Sequence, residues 1–273
     1  ISSGLVGSEM CIRDRALCVL FNLCKVKRIV FLGAKPVAYR CLDFLLKNEI
    51  SLDAKVIAVL TNDTKMNDPA FDIGTLCQQN ETPILKSLDE LPQSDLLISI
   101  QYREILKKHH IETSKLAINL HMAPLPEYRG CNQFSFAIAN GDKEFGTTIH
   151  ELVEKIDGGD IIAESRFTIP GDCFVNELFE LTAEKSVTLF EQEIGNILSG
   201  NFSRVPQQTL IDERGTSYNN RTSINSLKEI DLNWDREKIE RHIRATSMPG
   251  YEPPFAIIGE RRVSLTIQAN NEE

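Results

Sequence analysis

The chain has 273 residues, of which 42% are hydrophobic and 25% are charged, and these proportions are ordinary for a globular protein. No apolar run approaches the roughly 20 residues that a membrane-spanning helix needs, so we expect no membrane partner. The net charge of −9 argues against a nucleic acid partner, because phosphate binding depends on basic surface. A small phosphorylated ligand is still compatible with this charge, since it needs only one or two local cations.

The first 25 residues differ from the rest of the chain. The segment ISSGLVGSEMCIRDR has no periodicity, and its end, EMCIRDR, resembles the translation of a sequencing-library adaptor. The following ALCVLFNLC is apolar but short. We therefore interpret residues 1–25 as a non-native leader, and a signal peptide is the alternative interpretation.

Strands and helices alternate over the next part of the chain. Apolar, β-branched runs predict strands, and apolar positions three or four residues apart predict helices. The predicted strands are KRIVFLGAKP (27–36), which ends at Gly33, AKVIAVLTND (54–63), TPILK (82–86), SDLLISI (94–100) and AINLH (117–121). Predicted helices begin at Pro36, at FDIGTLCQQN (71–80) and at REILKKHH (103–110). This alternation, with strands that are apolar on both faces, predicts a parallel sheet covered on both sides.

Longer elements follow a proline-rich loop. The predicted elements are a helix QFSFAIANG (133–141), two strands FGTTIHELV (145–153) and DIIAESRFTI (160–169) joined by a tight turn, and the longest helix (175–198), which Gly200 ends. From Asn201 the sequence is polar and aperiodic. A small C-terminal unit then consists of the predicted helix DREKIERHIRAT (235–246), the loop SMPGYEPP (247–254) and the hairpin FAIIGERRVSLTI (255–267).

The seven cysteines show no C-x-x-C pair and no cysteine–histidine cluster at zinc spacing. This pattern is typical of unpaired thiols in a reducing compartment. We therefore expect a cytoplasmic protein without a metal site.

The stretch AINLHMAPLPEYRG (117–130) places an amide and an imidazole at the tip of a predicted strand. Ligands bind at such tips in open α/β sheets, and side chains two residues apart leave a strand on the same face. Asp157, in the turn EKIDGGD, would orient the imidazole of His121 and raise its pKa. An amide donor such as Asn119 beside an acid–base imidazole is what acyl transfer requires.

Each of these three residues, taken alone, is more often structural than catalytic. A histidine at a strand end is commonly part of a hydrogen-bonded scaffold, and an aspartate in such a turn commonly caps it. Their combination favours catalysis. The chain lacks a G-x-S-x-G nucleophile motif, and Cys131 has no activating neighbour beyond Arg-Gly, so we expect the nucleophile to belong to the substrate.

The motif N-L-H-x-x-x-L-P-x-Y-R-G, the later strand F-G-T-T-I and then I-D-G-G-D-I together resemble the 10-formyltetrahydrofolate-dependent formyltransferase family. In that family an Asn, a His and an Asp carry catalysis, and they match Asn119, His121 and Asp157. The resemblance implies a Rossmann-like α/β fold with a mostly parallel sheet as the formyltransferase catalytic domain (26–200). A small C-terminal helix-plus-hairpin subdomain (201–273) would follow it.

Two further segments, MAPLPEYRGCNQFSFAI and ATSMPGYEPPFA, resemble the nucleotide-sugar branch of this family. More common members carry H-P-S-L-L-P, whereas this chain has Met122-Ala123 in place of Pro-Ser. The branch formylates dTDP-linked 3-amino or 4-amino deoxysugars destined for surface glycans such as O-antigen. Methionyl-tRNA formyltransferase is the alternative within the family, although it carries a larger C-terminal barrel and a basic face. A catalytically silent α/β binding module is the alternative from another class.

The resemblance also implies where ligands bind. The co-substrate 10-formyltetrahydrofolate would lie between the strand end formed by Ile100, Gln101 and Tyr102 and the turn that carries Asp157. The dTDP-amino sugar would lie along the loop after His121 and the C-terminal segment. Its predicted contacts are Arg129, for a phosphate, together with Gly130, Asn132, Gln133, Phe134 and Tyr251, and Phe255 is a further aromatic candidate. Core packing is the alternative for Phe134 and Phe255. The oligomeric state stays open, with a homodimer as one alternative.

Overall fold

The computed structural model describes residues 26–62 and 69–268, so the predicted leader lies outside the described residues. The strands are β1 (Lys27–Gly33), β2 (Ala54–Leu60), β3 (Ser94–Ile100), β4 (Ser114–His121), β5 (Tyr128–Gly130), β6 (Glu144–Glu151), β7 (Ile161–Thr168), β8 (Ser217–Asn219), β9 (Phe255–Ile258) and β10 (Arg261–Ser264). The α-helices are α1 (Lys35–Lys47), α2 (Ile73–Gln79), α3 (Lys108–Ile111), α4 (Gln133–Asn140), α5 (Val175–Ser199), α6 (Ile211–Arg214), α7 (Asn225–Lys228) and α8 (Arg236–Thr246).

The central sheet has six strands in the order β2-β1-β3-β4-β6-β7. The first four strands are parallel to one another, and β6 is antiparallel to both β4 and β7. The predicted α/β fold with a mostly parallel sheet is therefore confirmed. Because β6 runs against β4, the middle of β6 lies beside the carboxyl end of β4, where the predicted site begins.

Two hydrophobic clusters cover the two faces of the sheet. Neighbouring residues of β1 point to opposite faces, so Phe31 belongs to the larger cluster and Leu32 to the smaller one. Helices α1 and α5 contribute their apolar stripes to the larger cluster. Helix α5 ends as predicted at Gly200, whose φ of 78° is the left-handed conformation that suits glycine at a helix end.

Three local predictions differ from the structure. The helix predicted over 103–110 is wrong, because only α3 is helical there. Leu106 packs into the smaller cluster while Ile105 is 67% exposed, so this segment covers the sheet without forming a helical apolar face. TPILK contributes a single bridge between Val59 and Ile84 instead of a strand. The proline-rich loop, predicted to be irregular, contains β5, which pairs with β8.

The segment after Gly200 returns to the main sheet. Val205 forms an antiparallel bridge with Ile161 at the start of β7, and β8 then pairs with β5. Helix α8 packs against α4, and β9 and β10 form the predicted hairpin. The boundary at residue 200 stays a prediction. Among the described residues, no helix is both long and apolar enough to cross a bilayer.

Candidate active site

The predicted catalytic residues meet at the end of the central sheet where the parallel strands β1, β3 and β4 finish, and we call this end the catalytic edge. His121 ends β4, and its Nδ1 lies 3.7 Å from Oδ1 of Asp157, which sits in the turn between β6 and β7. Asn119, two residues earlier on β4, is linked to the same carboxylate through a second imidazole. Nε2 of His150 lies 3.1 Å from Nδ2 of Asn119 and 3.5 Å from Oδ1 of Asp157. His121 is 6% exposed and His150 is 1% exposed, so both imidazoles are buried.

His150 is a site residue that the sequence analysis did not identify. The register of β4 and β6 pairs Asn119 with His150, which places their side chains beside each other. The only local signal was the histidine that directly follows the F-G-T-T-I motif. A single strand gives no information about which residue will lie opposite it.

The two threonines of that motif hold the chain that leaves His121. Both are fully buried, and their hydroxyl groups donate to backbone carbonyls: Thr147 to His121 at 3.0 Å and Thr148 to Ala123 at 2.9 Å. Buried carbonyls need such donors, because an unpaired polar group inside a protein is costly. The threonines therefore fix the start of the proline-rich loop against β6.

One ring nitrogen of His121 is held by the end of this loop. Nε2 lies 2.7 Å from the carbonyl oxygen of Tyr128. A carbonyl only accepts hydrogen bonds, so Nε2 carries the proton in the neutral ring and Nδ1 has a free lone pair. The hydroxyl of Tyr128 donates to Asp142 and accepts from Asn140, and burial raises its pKa. His121 therefore points Nδ1 toward Asp157 from a rigid support.

The Asp157 turn is fixed from two directions. The N–H of Gly130 donates to Oδ2 of Asp157 at 2.8 Å. From the segment after Gly200, the buried side-chain amide of Gln207 donates to the carbonyls of Asp157, at 2.8 Å, and Gly159, at 2.7 Å. Gln207 is a second site residue that the sequence analysis missed, because it lies in a segment without periodicity.

Asp157 is ionised in this environment. Burial alone would raise its pKa, but the nearby imidazoles of His121 and His150 and the N–H of Gly130 outweigh burial. The pKa of Asp157 consequently lies far below its ordinary value. The carboxylate is thus available to stabilise a positive charge on an imidazole.

Gly130 must be glycine for two reasons. Its φ is 86°, and a Cβ at this position would lie 2.2 Å from the carbonyl oxygen of Asn219 on β8. The sequence analysis predicted Gly130 as a substrate contact. The structure shows that its backbone N–H binds Asp157, so it connects the proline-rich loop to the Asp157 turn.

The strand end predicted for folate lies at the same edge of the sheet. Ile100 is fully buried and its carbonyl accepts the N–H of Ala34 at 3.2 Å, while Gln101 accepts from Nζ of Lys35 at 3.3 Å. Tyr102 donates to Glu104 at 3.0 Å, and burial raises the pKa of its hydroxyl.

Strained backbone is concentrated around this edge. Among the described residues, six non-glycine residues have positive φ, and four of them lie near this edge: Lys35 at 71°, Gln101 at 55°, Asn132 at 60° and Asp157 at 48°. The other two are Asp53, before β2, and Glu81, after α2. Such conformations persist only where the surrounding structure enforces them, and they are common at functional sites. Their positions support the assignment of a site to the carboxyl ends of β1, β3 and β4.

The predicted acceptor residues divide into two groups. Arg129, Asn132 and Gln133 lie on or next to β5, where Asn132 donates to the carbonyl of Asn220 at 2.8 Å. Nε of Arg129 is buried and has no hydrogen-bond partner among the described residues. Opposite Arg129, β8 carries Tyr218, which is 53% exposed. This aromatic was not singled out from the sequence.

The aromatic candidates lie elsewhere. Phe134 is buried, and its ring centroid lies 5.6 Å from that of Phe145 and 5.5 Å from that of Phe179. Its side chain therefore packs in the hydrophobic core. Tyr251, after α8, is 73% exposed, and Phe255 lies under the guanidinium of Arg262. Ligand contacts for these three residues stay predictions.

A cluster of possible metal ligands occupies the opposite edge of the sheet. Asp89, His109 and His110 come together just before β3 and β4 begin. Nδ1 of His110 accepts the N–H of Lys107 at 3.2 Å, which leaves the proton of the neutral ring on Nε2. A protonated nitrogen cannot bind a metal, so this cluster is poorly suited to a metal ion.

Solved structures of other proteins have the same fold over most of the length of this chain. A sugar 3N-formyl transferase, WlaRD, determined in the presence of dTDP and 5-N-formyl-THF, is 25% identical, with a TM-score of 0.72 over 90% of this chain and 88% of that one. An N-formyltransferase from Helicobacter canadensis, in complex with folinic acid and dTDP-3-aminofucose, is 23% identical, with a TM-score of 0.69 over 87% of this chain and 86% of that one.

Curated relatives carry a different name. A methionyl-tRNA formyltransferase of Protochlamydia amoebophila is 32% identical over 55% of this chain and 51% of its own length. One from Staphylococcus epidermidis is 25% identical over 81% of this chain and 74% of its own length. The chain thus spans about half of the first of these relatives. The family model described as formyl transferase matches residues 27–193, more than half of the chain. The chain therefore belongs to the formyl transferase family.

Proposed function

We propose that this protein transfers a formyl group from 10-formyltetrahydrofolate to the amine of a dTDP-linked 3- or 4-amino-dideoxysugar. The observation that carries this proposal is the meeting of Asn119, His121 and Asp157 at one edge of the sheet. It supplies an amide donor, an imidazole with a free lone pair and an ionised carboxylate within one cluster, in which His121 is buried and the other two residues are half-buried. This set of groups suits acyl transfer to an amine.

The bound folate supplies the formyl group on a nitrogen that becomes the leaving group. Asn119 uses one N–H for His150 and donates the other to the oxyanion that develops on the formyl oxygen. His121 accepts the proton of the attacking amine on Nδ1, and Asp157 stabilises the resulting imidazolium. As the old C–N bond breaks, His121 returns this proton to the leaving nitrogen. One C–N bond forms, one breaks, and one proton moves between the two nitrogens.

The residues at the end of β3 fit a flat co-substrate with many hydrogen-bonding atoms. Gln101 is held in a left-handed conformation, which turns the chain at the strand end, and its side chain is engaged with Lys35. We propose that backbone groups of Ile100, Gln101 and Tyr102 hold the pterin beside the Asp157 turn.

Two observations favour a nucleotide sugar as the acceptor. The similarity to WlaRD covers 90% of this chain, and WlaRD is a sugar 3N-formyl transferase. The buried Nε of Arg129, unpartnered within the described residues, suits a diphosphate oxygen. The net charge of −9 disfavours a large RNA substrate. A cytoplasmic location stays part of this proposal, and a homodimer stays one alternative for the oligomeric state.

Methionyl-tRNA is the second candidate acceptor. The curated relatives named methionyl-tRNA formyltransferase support it, with identities up to 32% among those described above. Both acceptors would use the same catalytic residues, so the catalytic cluster does not distinguish them.

A direct competition between acceptors tests the proposal. The purified protein and 10-formyltetrahydrofolate would be incubated with a panel of dTDP-3-amino and dTDP-4-amino sugars and, separately, with methionyl-tRNA. We expect mass spectrometry to show a formyl adduct on one or more sugars. Efficient formylation of methionyl-tRNA alone would refute the sugar acceptor, and no formylation of either class would refute the transfer reaction. A shift in melting temperature with tetrahydrofolate separates a silent binding module from a protein that does not bind folate.

A further inference from the structure

A second buried imidazole, His150, contacts two of the three proposed catalytic residues. It is 1% exposed, and its Nε2 lies 3.1 Å from Asn119 and 3.5 Å from Asp157. Burying a polar ring is unfavourable unless its nitrogens form hydrogen bonds. An apolar side chain would fill this position without that cost, so the contacts of His150 need an explanation.

The hydrogen bonds of His150 determine which of its nitrogens is protonated. Nδ1 lies 2.8 Å from the carbonyl oxygen of Glu151. Because this oxygen only accepts, Nδ1 carries the proton of the neutral ring, and Nε2 must act as an acceptor. Two groups face Nε2, the side-chain amide of Asn119 at 3.1 Å and Oδ1 of Asp157 at 3.5 Å. Because Nε2 accepts in this tautomer, the nearer group, the amide of Asn119, turns its nitrogen and not its oxygen toward His150.

The orientation of this amide matters for the proposed reaction. An asparagine amide rotated by 180° exchanges its oxygen and nitrogen, and an oxygen would repel a developing oxyanion. With the nitrogen held by His150, one N–H is engaged and the other remains for the ligand. Misplacement of a catalytic group by about 1 Å can reduce the rate roughly 100-fold.

His150 and His121 both lie close to the carboxylate of Asp157, but the unprotonated nitrogen of each ring has different partners. Nδ1 of His121 is open, whereas Nε2 of His150 already accepts an N–H from Asn119. A lone pair that accepts a hydrogen bond is less available to a proton. The arrangement therefore directs the proton of the amine to His121.

We propose that His150 is a positioning residue, which holds the amide nitrogen of Asn119 toward the ligand and keeps the proton transfer on His121. This role rests on the proposed formyl transfer and adds a fourth residue to it. His150 acts through Asn119 and Asp157 and does not itself contact the substrate.

Two substitutions separate this role from simple packing. His150→Leu has a similar volume and no acceptor, so we expect kcat to fall roughly 10- to 100-fold while KM for both substrates changes little. His150→Gln can place its amide oxygen near the former Nε2 and should recover most of the lost kcat. His109→Leu, which removes an exposed imidazole at the opposite edge of the sheet, is the control and should leave kcat unchanged.

A spectroscopic readout does not depend on activity. In protein labelled with ¹⁵N at histidine, the ring nitrogens of His150 should show a proton on Nδ1 and no proton on Nε2. The side-chain NH₂ signals of Asn119 should shift in His150→Leu and return toward their original positions in His150→Gln. These spectra decide the question even if His150→Leu fails to fold, because the tautomer is measured in the unaltered protein.

Two results would overturn the proposal. The first is the opposite tautomer, with the proton of His150 on Nε2. The second is a folded His150→Leu variant with unchanged kcat. If the unaltered protein formylates no acceptor while the tautomer and the Asn119 signals behave as expected, the proposed function fails but the hydrogen-bonded arrangement stands.

Discussion

The catalytic edge of the sheet and the C-terminal hairpin differ sharply in how their side chains are held. At the proposed catalytic edge, His121 and His150 are buried, the side chain of Asp157 is 13% exposed, and each of the three has polar partners at defined distances. In the C-terminal unit, Tyr251 is 73% exposed and Ile258 is 54% exposed. Roles at the first region can be derived from geometry, because each hydrogen bond limits what a group can do.

This contrast separates the part of the proposed function that the hydrogen bonds restrict, the chemistry, from the part that they do not, the choice of acceptor. We propose that formyl transfer depends on the cluster of Asn119, His121, His150 and Asp157, where distances and tautomers restrict the chemistry. We propose that the identity of the acceptor depends on the half-buried Arg129 and on the exposed Tyr218 and Tyr251. Five measurements test whether the two regions divide the function in this way.

The largest effect should come from the catalytic residues. His121→Ala and Asn119→Ala should each lower turnover by roughly 100-fold or more, the usual scale for losing a general base or an oxyanion donor. Steady-state kinetics with the preferred acceptor measure this change, and circular dichroism checks that the variants are folded. Near-normal turnover in both folded variants would remove the catalytic edge from the reaction.

A substitution at Gly130 tests how strongly the proline-rich loop supports the Asp157 turn. Gly130→Ala should lower the free energy of unfolding by roughly 1–3 kcal/mol, since alanine would be strained at positive φ and would contact Asn219. Gly171→Ala is the matched control, because a Cβ there meets nothing within 4 Å. Urea denaturation gives both values. Equal stability of the two variants would show that the close approach of β5 and β8 is unimportant.

Gln207 tests whether the segment after Gly200 belongs functionally to the catalytic edge. Gln207→Leu keeps the side-chain size but removes the donor to the carbonyls of Asp157 and Gly159, which should cost about 1–3 kcal/mol and lower turnover. The exposed neighbour provides a control: Gln208→Leu should change stability by less than about 0.5 kcal/mol. If both variants behave alike, the Asp157 turn does not depend on this segment.

The ionised state of Asp157 predicts a pH dependence of stability. Its folded pKa lies below the ordinary value of 3.8, so its charge stabilises the fold above that value, and this contribution is lost as the pH falls toward the folded pKa. The difference in unfolding free energy between the unaltered protein and Asp157→Asn should therefore shrink as the pH falls below about 4. Asp172→Asn, at a fully exposed position, is the control. A difference that grows with acid would contradict a depressed pKa.

The smallest effect on stability should come from the exposed aromatic residues. Tyr251→Ala should change the free energy of unfolding by less than about 0.5 kcal/mol, as is usual for surface positions. It should nevertheless weaken the thermal protection by dTDP and leave the protection by folate intact. Tyr218→Ala is the informative comparison, since Tyr218 lies opposite Arg129. Loss of dTDP protection in Tyr218→Ala but not in Tyr251→Ala would place the nucleotide along β8.

Sequence alone determined much of the framework and the three proposed catalytic residues. Buried runs such as those of β1 and β3, and the helical stripe of α5, are local patterns that follow from strand and helix geometry. Asn119 and His121 share a face because they are two residues apart, and Asp157 stood out in a glycine-rich turn. The false helix over 103–110 shows the limit of local patterns, since Leu106 is buried by tertiary packing and not by a helical stripe.

Only the tertiary structure decided which residues hold these groups in place. His150 lies beside Asn119 because β6 runs antiparallel to β4 in one particular register, and a shift by one residue would turn His150 to the other face. Gln207 reaches the Asp157 turn, and β8 reaches β5, from segments that are distant in the chain and carry no periodic signal. Such long-range pairs depend on how the whole chain packs, so a local pattern of residues contains no record of them.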